Sequence, residues 1–190
     1  MPRPNRNDWP SVWSVVFDTS AESYLSPAQS HAEAEWLLRY AALFPIYVVV
    51  SSVVERARGF FLARDRSAPP RRVELERYLM ECARSIRAVP SRVLDLTGDI
   101  GFLSAQFMSM LPAPPSPPRH SLRGTESRQD RRSRWRFDIM IAATALVHDL
   151  PLIHNNPQDF EPLRGLIETV PERFPGVGPL NLISVKRLAA

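Results

Sequence analysis

The stretch RFDIMIAATALVHDLPLIHNNPQDF, Arg136 to Phe160, decides the fold. Its first half, Phe137 to His148, is apolar nearly all round, which predicts a helix buried on every side. PLIHN predicts a short strand and NPQDF a loop. One acid stands out in this setting, Asp138, expected in the first turn of the helix; Asp159, taken alone, reads as a loop residue. Burying an unpaired carboxylate costs several kcal/mol. An acid held against apolar segments therefore needs a cation or hydrogen bonds.

Working outward, Val12 to Phe17 is an apolar run of strand length that ends at Asp18, and DTS offers caps for a short helix. His31 to Phe44 has helical spacing, with Trp36, Leu37, Tyr40 and Ala41 on one face, and Pro45 stops it. Ile46 to Val50 is a β-branched strand. Ser51 or Ser52 is expected to cap a helix to about Arg64, with Val53, Val54, Ala57, Phe60 and Phe61 on its apolar face and Glu55 in its first turn. After Pro69 and Pro70, Arg72 to Ala88 is amphipathic, with Leu75, Tyr78, Leu79, Cys82 and Ile86 on one side. RVLDL, Arg92 to Leu96, predicts a strand. TGDIGFLSAQFMSML predicts a helix capped by Thr97 or Asp99, and LNLISV a last strand. Strands alternating with helices predict a three-layer α/β/α fold with a mainly parallel central sheet. Ligands bind such folds beyond the carboxyl ends of the strands.

The 190 residues predict one domain over 1–190, with a core at about 12–185. It is interrupted by the Pro/Arg-rich insert PAPPSPPRHSLRGTESRQDRRSR at 112–134, whose first part is expected to be extended and the rest mobile. The formal net charge is +4, nearly all of the positive charge is arginine, and seven arginines fall between Arg119 and Arg136. The excess permits an anionic partner. The single cysteine, Cys82, excludes an internal disulfide framework and a cysteine-rich zinc site, and it is read as core packing. MPRPNRNDWPS has no apolar core of a signal peptide, and no run is long enough to cross a bilayer. A cytoplasmic protein without membrane attachment is expected.

There is no Gly-rich phosphate loop and no nucleophile elbow. GVG at Gly176 to Gly178 is read as a turn. His31, His120, His148 and His154 show no metal-ligand spacing. What remains is a set of acids at element ends: Asp18, Glu55, Asp138 and Asp159. In a parallel sheet all four can converge on one edge. Each also has a plain reading, since acids complement helix N-termini and aspartate caps helices and turns.

VVFDTSAESYL, VSSVVERARGF, FDIMIAATALVHDLPLIHNNPQDFEPL and the closing strand together resemble the PIN-domain nucleases, especially the VapC-type toxins of bacterial toxin–antitoxin pairs. The likeness runs from about Val12 to Val185 apart from the insert. It implies that Asp18, Glu55, Asp138 and Asp159 form a catalytic, metal-binding quartet, with Thr19, Ser20 and Asn156 in support. It also implies an RNA substrate, a small antitoxin partner and a homodimer. His154 stands where the family usually has Thr or Ser, and Asp149 replaces a common glycine.

The activity expected on these grounds is metal-dependent hydrolysis of RNA phosphodiester bonds. Hard oxygen ligands without a His/Cys cluster favour Mg2+ or Mn2+. A haloacid-dehalogenase-type phosphatase would want a second acid where Ser20 stands. A receiver domain would want an acidic pair near the first strand and a placed lysine, but Lys186 lies beyond the last strand. The alternative function is a non-catalytic module that binds nucleic acid or a partner through the arginine-rich insert.

Overall fold

Successive residues of the first strand face opposite ways. Val16 packs into one apolar core, and Val15 and Phe17 into another. This alternation follows from the two-residue period of a strand. It places the sheet between two helical layers. The computed structural model describes residues 14–22, 40–88, 92–121 and 124–185.

The elements are β1 Val15–Phe17, α1 Thr19–Glu22, β2 Ile46–Val49, α2 Val50–Asp65, α3 Pro69–Ala88, β3 Val93–Leu94 and α4 Gly98–Met110. They continue with β4 His120–Ser121, β5 Gly124–Thr125, α5 Arg128–Val147, β6 Leu152–His154, α6 Pro157–Thr169, a 3-10 turn at Pro171–Arg173, and β7 Leu182–Ser184. The central sheet has the order β3-β2-β1-β6-β7, and every pair in it is parallel. β4 and β5 form a separate antiparallel pair. The expected three-layer α/β/α fold is the one observed. The carboxyl ends of β1, β2 and β6 lie side by side because β1 is the central strand.

The larger core holds Val16, Phe107, Trp135, Ile139, Leu152, Phe160 and Leu163. The smaller one, on the other face, holds Val15, Phe17, Tyr40, Ile46 and Ile153. At about 25 cal/mol per Å2 of apolar area, each large side chain buried here contributes about 1.5–3 kcal/mol. Ile139, Ala142, Ala143 and Ala145 of α5 are buried outright, as the apolar helix required.

Several boundaries differ from the sequence reading. α5 starts at Arg128, not Phe137, because Ser127 caps it: its Oγ accepts from Asp130 N–H at 3.1 Å. Asp138 therefore lies well inside the helix rather than in its first turn. Part of the insert expected to be mobile is the first two turns of α5. NPQDF is not a loop, since Pro157 opens α6 and Asp159 sits in its first turn, where the proline ring suits the helix start. α2 is not capped by Ser51 or Ser52; both are buried inside it, and Val49 precedes it without a side-chain cap. Val54 and Phe61 of α2 are exposed rather than in the core, and Cys82 is half-buried. Thr97 does cap α4, accepting from Ile100 N–H at 3.4 Å. Residues 40–43 of the helix expected at His31 to Phe44 are helical and Phe44 lies at a bend; 31–39 lie outside the described residues, as do Val12 and Lys186. Asp149 has φ +50°, a left-handed conformation that favours glycine. Gly176 at φ +75° makes the GVG segment a turn.

Candidate active site

Asp18 is the first residue after β1. Its backbone N–H donates to Ile153 O at 3.0 Å, continuing the β1–β6 ladder. Its carboxylate is buried and accepts from Ala21 N–H at 2.6 Å and from the Ser20 hydroxyl, which lies 2.9 and 2.7 Å from its two oxygens. Ser20 Oγ in turn accepts from Asn155 N–H at 3.1 Å, tying the end of β6 to the end of β1. Glu55, on the second turn of α2, accepts from the Thr19 hydroxyl at 2.6 Å. The two residues after Asp18 thus hold two of the four acids.

Asp138 and Asp159 meet across the α5–α6 contact. Asp159 is fully buried. Its Oδ1 accepts from Ser116 N–H at 3.1 Å. Its Oδ2 accepts from the Ser116 hydroxyl at 3.0 Å, Asn156 Nδ2 at 2.6 Å and Arg134 Nη1 at 2.6 Å. Asp138 is 6% exposed, and its buried Oδ2 has no hydrogen-bond partner. The nearest positive charge to it among the described residues is Arg134 Nη1, at 3.8 Å.

Arg134 was not foreseen from the sequence. It lies in the stretch read as mobile, yet it is 6% exposed. Glu126 grips its other edge, Oε1 at 3.1 Å from Nε and Oε2 at 3.3 Å from Nη2. Ser116, from the Pro-rich segment, was missed as well. That segment is docked rather than free. Arg131 donates to Pro114 O at 2.8 Å and to Ser116 O, and the Trp135 indole donates to Leu111 O at 2.8 Å. One signal in the sequence could have found Arg134. Ser127 and Asp130 have the spacing of a helix start, and a helix begun there puts Arg134 one turn before Asp138.

The electrostatics show one shared deficit of positive charge. Burial pushes the Asp18 carboxyl up to about 7; the Ala21 and Ser20 hydrogen bonds oppose this, and the Glu55 charge adds to it. Burial also holds the Asp138 carboxyl well above its ordinary range, joined by the charges of Asp159, Glu55 and Asp18 and opposed by Arg134. His154, buried at the end of β6, is pushed down to about 4, mainly by burial and further by the Arg164 charge. Of the four acids, Glu55 lines a cleft of about 350 Å3, whose walls also include Arg58, Glu126, Arg134 and Phe137.

The donor chemistry fits a hard divalent cation: all the ligand atoms are carboxylate oxygens, and one of them, Asp138 Oδ2, is buried without a hydrogen bond. Among the described residues no three acid, histidine or cysteine side chains close around a single ion position. Arg134, between Asp138 and Asp159, holds part of that space.

No family model and no curated protein matches the sequence. The fold does match solved structures. A chain of FitAB bound to the IR36 DNA fragment is 17% identical, with a TM-score of 0.54 over 90% of this chain and 94% of that one. FitAcB from Neisseria gonorrhoeae is 17% identical at a TM-score of 0.52, over 77% and 91% of the two chains. DNA-bound VapBC from Salmonella typhimurium is 14% identical at a TM-score of 0.50, over 92% and 99%. At these identities the shared property is the fold. This chain has the PIN-like α/β fold of the FitAB and VapBC structures. Among the described residues no helix is long and apolar enough to cross a membrane.

Proposed function

We propose that this chain is a metal-dependent ribonuclease, the toxin of a type II toxin–antitoxin pair, and that it hydrolyses RNA phosphodiester bonds at Asp18, Glu55, Asp138 and Asp159. The observation that carries the reading is Asp138 Oδ2, buried and without a hydrogen bond, on a carboxyl whose pKa is raised first by burial and then by the charges of the other three acids. A structural aspartate has no reason to be left so. Mg2+ or Mn2+ fits the donors, and when bound it lowers the pKa of a coordinated water and neutralises charge on the phosphate. Asp18 and Asp138 are the main candidates to hold it. Thr19 and Ser20 fix the first two acids, and Asn156 and Ser116 fix Asp159. The likeness to FitAB and VapBC supports a second small protein as partner, and the family resemblance supports a homodimer. The test is cleavage of a labelled RNA by the pure chain in Mg2+, Mn2+ or EDTA, beside Asp138→Asn. Cleavage that survives EDTA or the substitution removes the assigned site.

A second reading has its own observation. Arg128, Arg132 and Arg136 recur every fourth residue on the exposed face of α5. Among the described residues they form no ion pair, unlike Arg56, Arg58, Arg64, Arg71, Arg77 and Arg164. On helical geometry this row faces away from Arg134 and Asp138. A module that binds RNA or an acidic partner there would keep its affinity in EDTA, with a salt dependence that falls as each arginine is replaced.

A further inference from the structure

The two acids shared between α5 and α6 are not in equivalent states. A carboxylate offers about four lone-pair sites. Asp159 meets four donors: Ser116 N–H, Ser116 Oγ–H, Asn156 Nδ2 and Arg134 Nη1. Three of them crowd Oδ2, the oxygen nearest Arg134, and the Ser116 N–H takes Oδ1. Asp138 Oδ2 meets none within hydrogen-bond distance.

Arg134 is fixed in place. Its Nε and Nη2 lie on Glu126, Nη2 also donates to Ser116 Oγ at 3.2 Å, and Nη1 lies 2.6 Å from Asp159 and 3.8 Å from Asp138. A guanidinium keeps its charge at any working pH. Sites with two divalent ions set them about 3.5–4 Å apart between shared oxygens. Here the space between the two carboxylates of such a pair is held by a permanent cation.

We propose that Arg134 takes the place of a second metal ion, so that the site binds a single divalent cation on the Asp138, Asp18 and Glu55 side. Asp159 is then a positioning residue that holds Arg134 and is not itself a metal ligand. This rests on the metal-dependent reading above and sharpens it. Three carboxylates, Glu126, Asp138 and Asp159, face one guanidinium, with Asp18 and Glu55 on the far side of Asp138. That leaves a charge deficit for one further cation and a free buried oxygen to receive it.

The test counts Mn2+ bound per chain by electron paramagnetic resonance titration of the full-length protein, with no substrate present. The expected counts are one for the wild type, one for Arg134→Lys, and two for Arg134→Gln, where the Asp138–Asp159 space is vacated. Two ions on the wild type overturn the inference, whether or not Arg134→Gln folds. One ion on a folded Arg134→Gln overturns it too. No ion on the wild type overturns the metal-dependent reading itself, and this inference falls with it. The metal reading alone survives if the wild type binds two.

Discussion

Arg134 Nη1 lies 2.6 Å from Oδ2 of Asp159, and both side chains are buried. The pair joins the first half of α5 to the first turn of α6. Removing one member of a buried pair strands the other and costs about 3–5 kcal/mol, whereas replacing both by apolar groups costs much less. Without metal, Arg134→Met and Asp159→Asn should each lower the denaturant midpoint sharply. The double variant should lose less than the sum, with a coupling energy of about 1–3 kcal/mol. Additive losses would mean that the two side chains do not sustain one another.

Asp138 should behave in the opposite way. Its carboxyl is raised by burial and by three neighbouring acids, so its ionised form weakens the metal-free fold. At pH 8 in EDTA, Asp138→Asn should melt at or above the wild type. In millimolar Mn2+ the order should reverse, because a ligand specific for the folded state adds RT ln(1 + [L]/Kd), roughly 2.7 kcal/mol at a hundredfold excess over Kd. Thermal melts in the two buffers decide it. A loss of equal size in both would mark Asp138 as a structural acid.

Asp18 was readable as an acid at a strand end because VVF is short, β-branched and apolar. Asp138 was readable as buried because IAATA can only be interior. The helix around Asp138 is longer than its sequence suggests because RQDRRSR looks like low-complexity solvated chain; Ser127 and the contacts of Arg131, Arg134 and Trp135 with the Pro-rich segment order it. Asp159 was placed in a loop because two asparagines and a proline precede it, and the same proline opens α6. The Ser116–Asp159–Arg134 linkage is tertiary: its members are 43 and 25 residues from Asp159 along the chain. No local pattern announces such pairing.

Burial pushes the Asp18 carboxyl up to about 7 in the fold, from an ordinary 3.8. A raised pKa means that the folded state binds the proton more tightly than the unfolded chain. The stability it contributes is complete below pH 3.8 and is lost as pH rises to about 7. At about 1.4 kcal/mol per unit, the loss is on the order of 4 kcal/mol. In EDTA, the difference in stability between the wild type and Asp18→Asn should therefore change across that window and level off above it. Urea unfolding at half-unit pH steps measures this. Parallel curves for the two proteins would place the Asp18 carboxyl in a water-like setting.

His154 gives the contrary slope from the same end of the sheet. The ring is buried, its Nδ1 accepts from Asn156 N–H at 3.2 Å, and it packs 5.3 Å from the Phe160 ring centre. An Nδ1 that accepts carries no proton, so the structure needs the neutral imidazole. Burial, with the Arg164 charge second, takes its pKa down to about 4 from 6.5. A depressed pKa means that the unfolded chain binds the proton first. The stability it contributes is complete above pH 6.5 and is lost as pH falls to about 4, on the order of 3 kcal/mol. His154→Thr places the residue usual in the resembling family at this strand end and removes the titration. Its acid-limb stability should fall less steeply than that of the wild type between pH 6.5 and 4, while the two run parallel above pH 7. An unchanged acid limb would show that protonated His154 is accommodated at the end of β6, and that the acid sensitivity of the fold comes from elsewhere.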